Sequence, residues 1–100
     1  MVRILWSFRV RREHEAEFAR VYGPRGEWAQ LFSRGKGYRG TELLRDAPET
    51  QRYVTVDSWD SLDDLTLFKE QHHDAYAALD RRCEAFTEYE ELIGNFEVAV

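Results

Sequence analysis

The first ten residues carry the sequence pattern that most constrains the fold. Every second side chain of this segment is apolar, and the set consists of Val2, Ile4, Trp6, Phe8 and Val10. Successive side chains of a β-strand point to opposite faces, so this period of two predicts a strand that lays one face on a core. It is the clearest strand of the chain.

Two helical regions and three further strands are predicted after it. Helical spacing of apolar residues covers 13–22 and resumes at 28–32, after a break at Gly23-Pro24. Strands at 41–46 and 52–59 flank a turn that contains a proline, and together they predict a β-hairpin. The first helix is therefore expected to be interrupted once before the chain enters the hairpin.

A long second helix is predicted from Ser61 onward. Ser61 stands three residues before Asp64, as an N-cap with an acidic residue in the first turn. The residues that follow at spacings of three and four form one stripe, which consists of Leu65, Phe68, His72, Tyr76, Leu79, Cys83 and Phe86. A last strand is predicted over 88–98, with Leu92, Phe96 and Val98 on a shared face.

This order of elements predicts a single α+β domain over residues 1–100. Strand, helix, strand, strand, helix, strand is the split βαβ or ferredoxin-like arrangement, a four-stranded antiparallel sheet with helices on one face. The open face would carry Leu5, Leu43 or Leu44, and Ile93, and an exposed apolar patch of this kind usually marks an interface. We expect a homodimer packed through the sheet faces, because a chain this short gains stability from burying further apolar surface.

Composition excludes several classes of function. The formal net charge of -5 argues against a nucleic-acid partner, since such proteins need a basic face. No apolar run approaches the roughly 18 residues of a membrane span. The one cysteine, Cys83, cannot form an intrachain disulfide, and Arg3 and Arg9 interrupt the apolar N-terminus where a signal peptide would be uninterrupted. These features predict a cytoplasmic protein.

Two motifs have stronger structural than functional interpretations. Residues 35–40 match G-x-G-x-x-G, but the expected order of strand before and helix after is reversed, so the motif is interpreted as a helix end and strand entry. His72 and His73 are adjacent, and neighbours on a helix diverge by about 100°, which disfavours a shared metal ion. No metal site is predicted, and Cys83 is interpreted as a small buried apolar residue.

The aromatic residues and one histidine supply a candidate pocket. His72 lies on the apolar stripe, where it is either a core histidine or a proton acceptor whose pKa is tuned by burial. Most of the aromatic residues are expected in the core. Trp6 and Trp59 lie on strands, and with Tyr76 they are predicted to form a flat apolar pocket that has one hydroxyl donor.

Three segments of the chain resemble the antibiotic biosynthesis monooxygenase family. They are the first strand at 2–10, the strand at 40–46, and the junction at 57–61 before the helix that contains Phe68. The resemblance covers essentially the whole chain and implies a dimeric α+β barrel with a ligand cleft between sheet and helices in each subunit. It also implies a cofactor-independent monooxygenase that acts on a phenolic or quinone-like polyketide, without metal or flavin.

The resemblance also implies roles for individual residues. His72 would be the base or proton relay and Tyr76 the donor, and Trp6 and Trp59 would form the walls of the substrate site. Phe68 and Tyr53 would add further contacts to an aromatic substrate. A base that removes a proton from an electron-rich aromatic leaves an anion that itself reduces oxygen, so the protein need only supply positioning, a donor and a dry site.

Three alternatives stay open at this point. The same barrel serves as a non-catalytic ligand-binding module, or as a polyketide cyclase or aromatase. A third branch of the family degrades haem with an Asn on the first strand, a Trp after the third strand and a helix His. Trp59 and His72 match two of these, but the comparable first-strand stretch reads Trp6-Ser7-Phe8 and contains no Asn.

Overall fold

The computed structural model describes residues 1–100 as four strands and four helices. In chain order they are β1 (Val2–Val10), α1 (Glu15–Tyr22), α2 (Glu27–Phe32), β2 (Tyr38–Arg45), β3 (Arg52–Trp59), α3 (Leu62–Gln71), α4 (His73–Cys83) and β4 (Thr87–Glu97). Single helical turns precede α1 and β4. The first helical region is interrupted between α1 and α2, as predicted from Gly23-Pro24.

The strands form one antiparallel sheet in the spatial order β2-β3-β1-β4. The helices cover one face, which we call the covered face, and the other is the open face. On β3 the alternation is complete, because Tyr53, Thr55, Asp57 and Trp59 are buried while the residues between them are half-exposed. The predicted α+β, ferredoxin-like architecture is therefore confirmed.

The long helix predicted after Ser61 is divided in two. Its start is correct, since the Ser61 hydroxyl accepts a hydrogen bond from the Asp64 backbone N–H at 3.1 Å. At His72, however, the backbone leaves the helical region, with φ −119° and ψ 29°. Apolar residues can keep spacings of three and four across a single non-helical residue. The sequence pattern therefore does not reveal the break. The stripe is therefore divided between α3 and α4.

A bulge in β4 corrects a second prediction. Leu5 pairs with Gly94 and the next residue, Trp6, pairs with Leu92, so Ile93 has no direct partner on β1. Directly paired residues share a face of the sheet. Leu92 therefore lies on the covered face with Trp6, whereas Phe96, which pairs with Arg3, lies on the open face. The prediction that Leu92 and Phe96 share one face is wrong.

The core is built largely from aromatic rings. Trp59 and Phe18 are 0 % exposed and Phe68 is 1 % exposed. Phe32 contacts both Trp59 and Phe68 edge to face, at ring-centre distances of 5.9 and 5.5 Å. Cys83 is buried and unpaired.

None of the helices has the length and apolar character needed to cross a membrane, and cytoplasmic residence stays a prediction.

Candidate functional site

A cavity of about 290 Å³ lies between the covered face of the sheet and the helices. The sheet supplies Trp6, Phe8, Thr41, Thr55, Asp57 and Glu90, and the helices supply Tyr22, Trp28, Phe32, Lys69, Tyr76 and Asp80. Six of the residues are aromatic. The volume is at the lower end for ligand sites, so the cavity suits a small aromatic molecule.

Asp57 lies at the floor of this cavity. The alternation of β3 turns it toward the helices, and it pairs across the sheet with Ile4 of β1 and Thr41 of β2. Its side chain contributes to the lining although the residue is only 8 % exposed. A carboxyl group on the covered face of a central strand is unusual, because charged groups are rarely buried without a partner.

The hydrogen bonds of Asp57 come from a short chain of hydroxyl groups. The Thr41 hydroxyl donates to Asp57 Oδ1 at 2.6 Å. Tyr38 Oη lies 2.6 Å from the same Thr41 oxygen. Because Thr41 has one hydroxyl proton and gives it to Asp57, Tyr38 is the donor of the second bond. No lysine, arginine or histidine forms an ion pair with Asp57.

Burial changes the protonation of Asp57. The loss of solvation raises its pKa from 3.8 to about 6, and the hydrogen bond from Thr41 opposes part of this rise. A carboxylate that titrates near 6 is a better proton acceptor than an ordinary surface aspartate and is still ionised at neutral pH. Asp57 therefore has the position and the pKa of a general base.

Tyr76 is the hydroxyl donor of the cavity. Burial, with further contributions from Asp80, Glu90 and Asp57, raises its pKa to about 12, so it keeps its proton at neutral pH. Its ring also contacts the Trp28 ring edge to face at 5.0 Å. Lys69 Nζ lies 5.4 Å from the centre of the Tyr76 ring, a distance at which an ammonium and an aromatic face attract.

Two of the residues predicted as site residues line the cavity, and four do not. Trp6 and Tyr76 are in the lining, from β1 and α4. Trp59 and Phe68 are packed in the core behind it, and Tyr53 is buried with its hydroxyl donating to Glu15 at 2.9 Å. These three residues support the structure around the site and have no surface in the cavity.

His72 lies beside Phe68 on the stripe but outside the cavity lining. Its ring lies 5.1 Å from the ring of Phe68, and the residue is half-buried at the junction of α3 and α4, outside the cavity lining. α3 ends before His72 and α4 begins after it, so His72 and Tyr76 do not belong to one continuous helix. No histidine lines the cavity, so the haem interpretation loses the match that His72 supplied.

The sequence interpretation missed Asp57, Thr41 and Thr55. One signal was available, since the alternation of β3 had already placed Asp57 on the same face as Tyr53, Thr55 and Trp59. A single acid among aromatic and apolar neighbours on a covered strand predicts a perturbed pKa. The hydroxyl chain had no such signal, because it depends on the register between β2 and β3.

The comparisons with known proteins identify a family. The family model of the antibiotic biosynthesis monooxygenases matches residues 1–81. No curated protein sequence matches the chain.

Several solved structures share the fold over the whole chain. A putative antibiotic biosynthesis monooxygenase from Bordetella bronchiseptica is 24% identical with a TM-score of 0.73, and the match covers 99% of this chain and 97% of that one. SnoaB, a cofactor-independent oxygenase from Streptomyces nogalater, is 25% identical with a TM-score of 0.68, over 99% and 93% of the two chains. A NIPSNAP domain protein from Burkholderia xenovorans is 17% identical with a TM-score of 0.73, over 99% and 95%.

Proposed function

Because the chain belongs to the antibiotic biosynthesis monooxygenase family, we propose that it is a cofactor-independent monooxygenase that oxidises a small aromatic molecule with molecular oxygen. The observation that carries the proposal is the buried Asp57 carboxyl at the floor of an aromatic cavity, with a pKa raised to about 6. The similarity to the cofactor-independent oxygenase SnoaB supports the same type of reaction.

Asp57 starts the reaction as a general base. Its free carboxylate oxygen takes a proton from a phenol or from an acidic C–H of the substrate, and the electron pair of the broken bond stays on the aromatic anion. That anion reduces O₂ and forms a carbon–oxygen bond. One oxygen atom remains in the product as a carbonyl and the other leaves as water, which takes up the proton held by Asp57 and the remaining hydrogen of the oxidised carbon, so that the Asp57 carboxylate is restored.

The other cavity residues orient and protect the intermediates. Tyr76, whose pKa of about 12 keeps it protonated, donates a hydrogen bond to the substrate oxygen. The rings of Trp6, Trp28 and Phe32 hold the substrate plane and exclude water, which would otherwise protonate the anion before it meets oxygen. Phe68, Trp59 and Tyr53 keep these walls in place from the core.

Oxygen consumption tests the proposal. The protein is offered a panel of hydroquinones and anthrones under ¹⁸O₂, with an oxygen electrode and mass spectrometry of the products. We expect uptake of O₂ with one labelled oxygen atom in the product. Product without oxygen uptake would instead support a cyclase, and binding without product would support a ligand-binding module. Either result would overturn the monooxygenase assignment.

We also propose that the protein is a homodimer through the open face of the sheet. Leu44 of β2 and Phe96 of β4 lie on this face and are 49% and 48% exposed, and Tyr89 is 53% exposed. Val54 and Val56 lie between them and are half-exposed. Large apolar side chains spread across a sheet face are typical of an interface.

The dimer predicts a strong effect of a charge on this face. Phe96→Asp should convert the dimer to a monomer, because a symmetric interface would bury one new carboxylate from each subunit. Leu67→Asp is the matched control, since Leu67 on α3 is similarly exposed at 43% and lies on the helical side of the molecule. Size-exclusion chromatography with light scattering gives the mass. A wild-type monomer, or a Phe96→Asp dimer, would contradict the proposal.

A further inference from the structure

We infer that the cavity takes an aromatic ligand that carries a protonated amine. This inference rests on the proposed function, which assigns the cavity to an aromatic substrate, and adds the charge that this substrate should have. The charged groups of the cavity lining are Asp57, Asp80, Glu90 and Lys69. Three acids face one base, so the cavity is acidic at neutral pH.

These acids have no cationic partners within the protein. Neither Asp57, Asp80 nor Glu90 forms an ion pair, although most arginines of the chain are exposed and several bind carboxylates elsewhere. The sole hydrogen-bond partner of Asp57 is the Thr41 hydroxyl, although the residue is more than nine-tenths buried. A buried carboxylate without a cation is destabilising, and a ligand cation in the cavity would supply the missing charge.

The acids stand at two ends of the cavity. Asp57 pairs with Ile4 and Glu90 pairs with Phe8, so they lie on the strands that flank β1 and differ along it by four residues, about 13 Å at roughly 3.3 Å per residue. Glu90 and Asp80 are both exposed at the mouth, and burial, followed by repulsion from the Asp80 carboxylate, raises the pKa of Glu90. A ligand amine at the mouth would relieve this repulsion while a phenol reaches Asp57.

The aromatic walls favour the same ligand. An ammonium is attracted to the face of an aromatic ring, and six aromatic residues line the cavity. Lys69 already makes such a contact with Tyr76, with its Nζ 5.4 Å from the ring centre. A ligand ammonium would also offset the negative charge that appears when Asp57 removes a proton from the phenol. A ligand carboxylate would be repelled by the acids at the mouth.

Three catechols that differ in one substituent test the charge preference. Dopamine carries an ammonium, 4-methylcatechol is neutral and 3,4-dihydroxyphenylacetate carries a carboxylate. Binding is measured without oxygen at pH 7.5 by quenching of tryptophan fluorescence, since Trp6 and Trp28 line the cavity. We expect dopamine to bind at least about tenfold more tightly than the carboxylate, with the neutral catechol between them. The inference would be overturned by equal affinities, by tighter binding of the carboxylate, or by the failure of all three catechols to bind.

Variants that remove negative charges identify the acids that cause the preference for the amine. Asp80→Asn combined with Glu90→Gln should reduce the ratio of the dopamine and carboxylate affinities at least about threefold. Glu91→Gln makes a similar change of charge on the adjacent residue, which pairs with Ser7 on the open face, and should leave the ratio unchanged. A ratio that is unchanged in the double variant would also overturn the inference. Oxygen uptake is measured separately, so an amine preference without uptake would reject only the proposed function, and uptake without an amine preference would reject only this inference.

Discussion

Replacing Asp57 by Asn should lower the rate of oxygen uptake by roughly 10²- to 10⁴-fold, the usual contribution of a positioned general base. The amide keeps the size of the side chain and can still accept the Thr41 hydrogen bond, but it cannot take up a proton at neutral pH. Substrate binding measured without oxygen should change far less than turnover. The measurement is the initial rate of oxygen consumption at saturating substrate.

The same substitution should stabilise the folded protein above pH 6. Burial raises the pKa of Asp57 from 3.8 to about 6, so the folded state binds the proton more tightly than the unfolded chain does. The free energy of unfolding therefore falls as pH rises through this window, and stays reduced above it. We expect Asp57→Asn to add about 2–3 kcal/mol at pH 7.5 and almost nothing at pH 4. Urea unfolding at both pH values measures the difference.

The opposite signs of these two effects distinguish a functional group from a structural one. Replacing a residue whose hydrogen bonds stabilise the fold would lower the free energy of unfolding. His72→Ala is the comparison, because the family resemblance implied that His72 is the base or proton relay, whereas the structure leaves it outside the cavity. If His72→Ala abolished uptake while Asp57→Asn did not, the assignment of the base would be wrong.

Replacing Trp59 by Ala should destabilise the protein by about 3–5 kcal/mol, enough to unfold a domain of this size in part. Trp59 is 0 % exposed, and its ring contacts Phe32, Tyr38 and Phe68 at centre distances of 5.3 to 5.9 Å. The cavity left by the indole cannot close, because the sheet backbone fixes the position of β3 on one side. Thermal and urea unfolding measure the loss.

Trp6→Ala is the matched control for this prediction. Trp6 is half-buried and lines the ligand cavity, so its loss should cost less stability and more ligand affinity than the loss of Trp59. Trp59→Phe should be much milder than Trp59→Ala, since it keeps a ring and removes an indole N–H that has no hydrogen-bond partner. A stable Trp59→Ala protein that no longer binds ligand would instead support the predicted role of Trp59 as a wall of the site.

The sequence predicted most of the fold because the deciding patterns are local. The alternation of β1 and β3 and the cap formed by Ser61 depend on side chains that are near each other in the chain. The bulge at Ile93 depends on the pairing of β4 with a strand more than eighty residues earlier, so the local alternation gives no sign of it.

The site was less predictable than the fold for the same reason. Trp6 and Tyr76 line the cavity, and the face of each follows from the period of one strand or helix. The place of His72 outside the lining had no signal, because the stripe continues unchanged across the residue at which α3 ends. The pKa of Asp57 depends on how closely the helices cover β3, which is a property of the packed molecule.

The titration of the Asp57 carboxyl tests the central claim most directly, because it requires neither a substrate nor a partner. Carbon-13 NMR of the side-chain carboxyl groups follows this signal with pH, and its assignment comes from its loss in Asp57→Asn. We expect a midpoint at about 6 in the wild type, and a higher midpoint in Thr41→Val, where the opposing hydrogen bond is lost. A wild-type midpoint near 3.8 would show an ordinary solvated aspartate and would contradict the account.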